Sequence, residues 1–339
     1  MTSFVLPRVR RPLVLLVALV LLLVGVSAFS ATPARADANP EYDSVPAIAP
    51  PSYVSLGYQA TSTPEFGDHI QLAGTDRVLD TVTVGLTNWA CESDYTLSGS
   101  TWTPAGGPCT STPGSSFEHP ITLNIYGVDT SGVTPVRGAL LATLTDTFDI
   151  PFRPSASPGV GPGLCGAGAT QWYNAGTGTC HNGFGFTITF DFSALGPILV
   201  DDLIVAVAYN TQSYGAAPIG AAGPYNSLNV SLADDAPTAG TDVDADLVFW
   251  NTSHAPFYSD AGASGVGTLR ADTGWGDYNG LVLRIQADAA IQAPTLGLGS
   301  ATPAGTLPAT GTTTEPIGFA LLLLAAGGVL LVARCHRRA

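Results

Sequence analysis

Residues 184–192 read Phe-Gly-Phe-Thr-Ile-Thr-Phe-Asp-Phe. A large apolar side chain stands at every second position, and Gly, Thr or Asp fills the places between. Successive side chains of an extended strand point to opposite faces, so this run makes a strand with one apolar face and one wet face. A helix would scatter the same five groups around its circumference. The period of two recurs elsewhere. Ile121, Leu123 and Ile125 alternate with Thr122, Asn124 and Tyr126; Val82, Val84 and Leu86 with Thr81, Thr83 and Gly85; Leu281, Leu283 and Ile285 with Val282, Arg284 and Gln286. Leu203 to Tyr209 is apolar on both faces and reads as a central strand. Further strands are expected near 54–58, 68–73, 139–148, 228–232 and 247–250.

No stretch between residues 50 and 287 carries a helical stripe, and the 39 glycines and 26 prolines of the chain punctuate it throughout. No internal repeat at a fixed period is present. These features predict an all-β fold: a single antiparallel β-sandwich over residues 37–287, jelly-roll-like in its connections.

Charge narrows the class further. Only 11% of residues are charged, and the chain has no lysine. Between Asp37 and Thr310, five arginines face 25 aspartates and glutamates, a net charge of −20. Such a surface does not hold nucleic acid by neutralising phosphates. It suits divalent cations, neutral ligands or basic partners.

Cys91, Cys109, Cys165 and Cys180 lie in the same region and allow three connectivities. The pairs Cys91–Cys109 and Cys165–Cys180 are favoured, because each brackets a Gly/Ser/Thr/Pro-rich stretch that needs closing. In the chain-entropy model each bond contributes about 3 kcal/mol. No CxxC spacing points to zinc.

The two ends carry apolar segments of different kinds. Arg8, Arg10 and Arg11 precede a Leu/Val-rich run from Leu13 to Val26, and Ala34-Arg35-Ala36 offers small residues for cleavage. Residues 1–36 therefore read as a signal peptide for ordinary secretion. The alternatives are a twin-arginine route through Arg10-Arg11 and an uncleaved membrane helix.

At the other end stand Leu307, Pro308, Ala309, Thr310 and Gly311, then a polar spacer, an apolar run from Ile317 to Ala333, and the tail Arg334-Cys335-His336-Arg337-Arg338-Ala339. The apolar run makes a helix of roughly 26 Å, close to the thickness of a bilayer core, and the arginines after it hold that end in the cytoplasm. Motif, span and basic tail in this order resemble the sorting signal of LPxTG surface proteins of Gram-positive bacteria. The resemblance implies a membrane-bound sortase that cleaves after Thr310 and joins it to an amine of a peptidoglycan precursor. A transient single-pass membrane form would precede the secreted, cell-wall-anchored one. The bland alternative is a single-pass anchor with an incidental LPATG.

Residues 288–306, rich in Ala, Gly, Thr and Pro, read as a stalk. Without lysine, the chain can neither form Lys–Asn isopeptide bonds nor serve as a lysine-dependent pilus shaft subunit.

Residues 50–287 also resemble an unnamed β-domain of bacterial secreted and surface proteins. The resemblance runs through residues 53–68, 119–129, 208–230, 244–253 and 265–275, and it implies a location and a fold but no activity.

Two clusters in this region are candidate sites. Asp242, Asp244 and Asp246 alternate, and converging carboxylates suit Ca²⁺. An EF-type loop is not formed, because Leu247 and Ser253 stand where Gly and Glu are needed. The bland reading is a solvated strand face. Tyr209, Tyr214, Tyr225, Trp250 and Trp275, set among amides, suit stacking on sugars, and their bland reading is packing at the edge of the fold. No cofactor is required by any motif.

Catalytic signatures are absent: the exported histidines have no metal-ligand spacing, and neither GxSxG nor HExxH occurs. A glycosidase reading would turn on Glu65 or Glu118; Glu65 and Asp68 stand nearest to a carboxylate pair, and their bland reading is a turn cap. The expectation is therefore a wall-anchored protein displaying a non-catalytic β-domain for adhesion or glycan binding, its partners a glycan or a host or other extracellular ligand. The alternatives are a wall-anchored polysaccharide hydrolase and a structural surface protein without a specific ligand.

Overall fold

The computed structural model describes residues 39–289. The leader, most of the stalk and the sorting signal expected from the sequence lie outside the described residues. In chain order the strands are β1 (Tyr42–Asp43), β2 (Ser55–Gly57), β3 (Glu65–Gln71), β4 (Val78–Asn88), β5 (Tyr95–Ser98), β6 (Thr101–Pro104), β7 (Ser116–Asp129) and β8 (Val136–Pro151). There follow β9 (Trp172–Asn174), β10 (Thr179–His181), β11 (Phe184–Asp191), β12 (Asp202–Tyr209), β13 (Leu228–Ser231), β14 (Thr241–Asp242), β15 (Leu247–Asn251), β16 (Arg270–Thr273) and β17 (Leu283–Asp288). Among the described residues helix is confined to one turn of α-helix, α1 (Tyr58–Thr61), and short 3₁₀ turns. Among the described residues no helix is long and apolar enough to cross a membrane.

All the strand pairings are antiparallel, and the fold is all-β. One sheet runs β1-β17-β4-β13-β2, with β11 on the free side of β4. The other runs β16-β15-β3-β12-β7-β8, with β14 beside β3. Two hairpins, β5–β6 and β9–β10, stand apart from both sheets. Most connections carry the chain from one sheet to the other.

The alternation sets the register. In the first sheet Tyr42 lies opposite Ile285, Ile285 opposite Val82, and Val82 opposite Phe190. In the second, Trp250 lies opposite Phe66, Phe66 opposite Val207, and Val207 opposite Leu123. A slip of one residue would turn either row to the wrong face, which is why the pattern specifies the pairing.

The two rows meet in one cluster of buried side chains drawn from both sheets. Phe148 of β8 packs edge-on against Phe190 of β11, with ring centroids 4.9 Å apart. Each fully buried Leu, Ile, Val or Phe stabilises the fold by about 1.5–3 kcal/mol. Leu203 to Tyr209, apolar on both faces, is β12, a strand with a neighbour on each side.

The second sheet also buries part of its other face. Tyr126, Ile204, Ala206, Leu247, Phe249 and Leu269 form a separate small core there. Its two edge strands, β16 and β8, approach one another, so the sheet is curled with this face inside.

The disulfides Cys91–Cys109 and Cys165–Cys180 close the loops around the two hairpins.

Candidate functional site

The aromatic residues singled out by sequence are divided by the fold. Tyr209, Tyr225 and Trp250 are each 4% exposed, so their ring faces are already occupied. Tyr209 stacks on Tyr58 at 4.0 Å, and its hydroxyl donates to the Leu228 carbonyl. Tyr225 stacks on His119 at 5.2 Å. Trp250 meets Trp275 edge-on at 4.8 Å and donates from Nε1 to Thr63. Burial lowers the pKa of His119 to about 4, leaving a neutral ring between the tyrosines. These groups do the packing work of the bland reading, and only Tyr214 and Trp275 remain half-exposed.

The three aspartates also part company. Asp246 turns away and accepts the amides of Gly274 and Gly276 at 3.0 and 2.9 Å, fixing that turn. Asp242, opposite Ile70 on β14, shares the inter-sheet face with Asp68 of β3. Asp68 is 1% exposed and accepts the amide of His69 at 2.8 Å. Burial raises the pKa of Asp68 well above the carboxylate range, with the Asp242 charge adding to it. Burial likewise pushes Asp242 up to about 6. A fully buried acid and a partly buried one within reach of each other's charge favour the protonated form over two charges. Among the described residues no group of three acids, histidines or cysteines is placed to hold a metal ion. Asp242 and Asp246 thus stand in different surroundings, Asp242 on the inter-sheet face and Asp246 on the 274–276 turn.

Glu65 and Glu118 stand on the same, curled-in face of the second sheet. Glu65 is fixed there by Asn124 and Tyr126, each donating to Oε1 at 2.8 Å. Thr143 completes this polar patch by donating to Asn124 at 2.8 Å. Both Glu65 and Thr122 flank Ala208, and Glu118 lies four residues from Thr122. Strand geometry then separates the two glutamate backbones by roughly 16 Å.

A site the sequence reading missed lies beside the Cys91–Cys109 bond. Residues 111–115 and 151–155, with Phe184, line a cavity of about 630 Å³. That is within the size range of small-ligand pockets. Its walls are built by reciprocal bonds: Ser155 donates to the Ser111 carbonyl and accepts the Ser111 amide, and the Phe152 amide donates to the Ser115 carbonyl. Glu92 accepts the Thr112 amide and the Ser115 hydroxyl on one oxygen. These bonds hold the Glu92 carboxyl below its ordinary value.

Arg153 forms part of the lining and is 8% exposed. Its Nη1 donates to the Thr170 carbonyl at 2.8 Å, while Nε is buried with no acceptor. Comparison of the chain with protein-family models, with curated proteins and with solved structures finds no match, so the chemistry of the lining is what assigns the site.

The other arginines of the domain are engaged differently. Arg77 pairs with Glu41 and Asp201, Arg270 with Asp260, and Arg284 with Asp43, at 2.7–3.1 Å. Arg137 lies over the Tyr126 ring at 5.1 Å. Among the described residues Arg153 has no carboxylate within ion-pair distance, and burial pulls its pKa down. The sequence held one clue: Arg153 stands in Pro-Phe-Arg-Pro, one of five arginines in an acidic domain.

Proposed function

We propose that this protein is a sortase-anchored surface protein of a Gram-positive cell wall, displaying a non-catalytic β-domain that binds glycans in adhesion. The order of LPATG, apolar span and arginine-rich tail at residues 307–338 carries the anchoring half of this reading. The lysine-free, acidic composition of the domain fits an exported, wall-facing life. The display domain is a jelly-roll: the strand orders β1-β17-β4-β11 and β3-β12-β7-β8 support this, since each is one four-stranded half of such a fold. The extra strands β13 to β16 are then an insertion before the last strand.

The binding half rests on the cavity beside Cys91–Cys109, where Phe184 and three prolines stand among serine and threonine side chains. An apolar wall with a few fixed polar groups is what a pyranose needs, with its C–H face and its ring of hydroxyls.

Two experiments test the reading. Wild type is expected to leave the cell only with wall-degrading enzymes and to carry a peptidoglycan fragment on Thr310. The Thr310→Ala variant is expected to remain detergent-extractable with its basic tail intact. Equal detergent extraction of both would sink the anchoring claim. A glycan array then tests binding, and a reducing-sugar assay on the bound glycans should register no turnover.

A further inference from the structure

The cavity beside the Cys91–Cys109 bond contains an imbalance that neutral-sugar binding leaves unexplained. A guanidinium taken from water needs a counter-charge, and a buried one without a carboxylate is expensive. Arg153 is 92% shielded, as its 8% exposure implies, and has one acceptor, the Thr170 carbonyl. Asp94 acts on it without an ion-pair contact, and Glu92, which holds Thr112 and Ser115 through one oxygen, forms no ion pair with it. The other three ion-paired arginines show that this acidic chain has carboxylates to spare for a purely structural arginine.

We propose that the cavity takes an acidic sugar, a uronate unit of a polysaccharide, whose carboxylate is the counter-ion of Arg153 and whose ring lies against Phe184. This rests on the glycan reading above and names its substrate class.

The hydrogen-bonding state of the walls favours a sugar over a peptide. An extended peptide is held by free backbone amides. Here the amides of Ser111, Thr112, Ser115, Phe152 and Arg153 are all committed to internal acceptors, and Pro113, Pro151 and Pro154 have none. Side chains remain available: the Ser111 hydroxyl accepts from the Glu92 amide and keeps its proton to donate, and the Ser115 hydroxyl donates and keeps lone pairs to accept. These match sugar hydroxyls, and the planar guanidinium matches a carboxylate. A second, shallower cavity of about 370 Å³ shares residues 111–113 with the first, which gives a neighbouring unit a place.

Salt gives the site a signature. The domain's net charge repels an anion at long range, and that repulsion is screened, whereas a desolvated Arg–carboxylate contact is screened little. Affinity for a uronate should therefore hold or rise with salt, opposite to a basic surface patch.

The test is calorimetric titration of the full chain, released from the wall, with an oligogalacturonate, its methyl ester and the neutral galactose oligomer of equal length. The acid is expected to bind at least tenfold more tightly than either uncharged form, and Arg153→Gln, checked for an unchanged Tm, to erase that preference. Equal binding of acid, ester and neutral oligomer overturns the proposal but leaves the glycan reading standing. Absence of binding by all three, together with a blank array, overturns both. Because the ester comparison uses unaltered protein, misfolding of the Arg153 variant does not blunt the test. Competition by a peptide with a free C-terminal carboxylate, with no uronate binding, also overturns it and points to a peptide terminus.

Discussion

At the residue scale the molecule places polar side chains where burial costs most, and each has a measurable consequence. Asp68 and Asp242 face the inter-sheet core together. The ordinary value for Asp242 is 3.8 and the folded value about 6. The folded state therefore holds a proton over a pH range in which the unfolded chain has lost it. Its stabilising contribution is full below about pH 4 and falls away as pH rises towards 6. Asp242→Asn, which removes the charge and keeps the shape, should raise Tm at pH 7 and leave it unchanged at pH 4. After discounting for the partial exposure of Asp242, the gain is about 1 kcal/mol. A variant less stable than wild type at pH 7 would show that the carboxylate has a partner the fold does not reveal. Gly280 belongs to the same place: a Cβ there would collide with the Asp68 carboxyl. Gly280→Ala should lower Tm by an amount corresponding to about 1–3 kcal/mol, the usual cost of overpacking.

At the element scale, the disulfide loops are where short strands without alternation become ordered. Tyr95–Ser98 and Thr101–Pro104 pair as a hairpin between Cys91 and Cys109. The amides of Cys91 and Glu92 are held by Asp94 and Ser111. Opening the bond with Cys91→Ser/Cys109→Ser should cost about 3 kcal/mol, given that the bridged residues are 18 apart. It should also loosen the 111–115 wall of the cavity. Thermal melts read the first effect and oligosaccharide titration the second; a double variant with unchanged Tm and unchanged binding would remove the bond from both roles. None of these short strands is visible as a period in the sequence. Three or four residues give too little alternation to count, and their pairing depends on a covalent closure and on caps made by side chains elsewhere.

At the scale of the whole molecule, both sheets contribute to a single buried cluster. The connections cross between sheets, so neither sheet can be exposed without the other. Unfolding should accordingly be one cooperative step. Tryptophan fluorescence reports on five side chains, among them Trp250 and Trp275 at the common core and Trp102 and Trp172 on the two hairpins, and far-UV circular dichroism on all strands. Their transitions in denaturant should coincide. Two separated midpoints would mean that the curled second sheet, with its own small core of Ile204, Phe249 and Tyr126, holds together after the common core has opened.

The alternation of Phe184–Phe192, Ile121–Ile125 and Val82–Leu86 was enough to determine that the chain is all-β and which side chains form the core. Strand faces repeat every two residues whatever the neighbours are, and the doubly apolar run at 203–209 could only be an inner strand. The charge balance, the apolar runs near the two ends and the LPATG order are likewise properties of linear sequence. Tertiary structure alone decided what the polar residues do. Asp68, some 170 positions from Asp242 in the chain, became its neighbour through the pairing of β3 with β14. Asp246 was claimed by a turn formed near residue 275. Tyr209, Tyr225 and Trp250 were buried, although their composition suited a binding surface equally well. The cavity around Arg153 joins segments near 111, 153 and 184. A site assembled from such distances has no period and no spacing; it exists only once the sheets and the disulfide have brought its walls together.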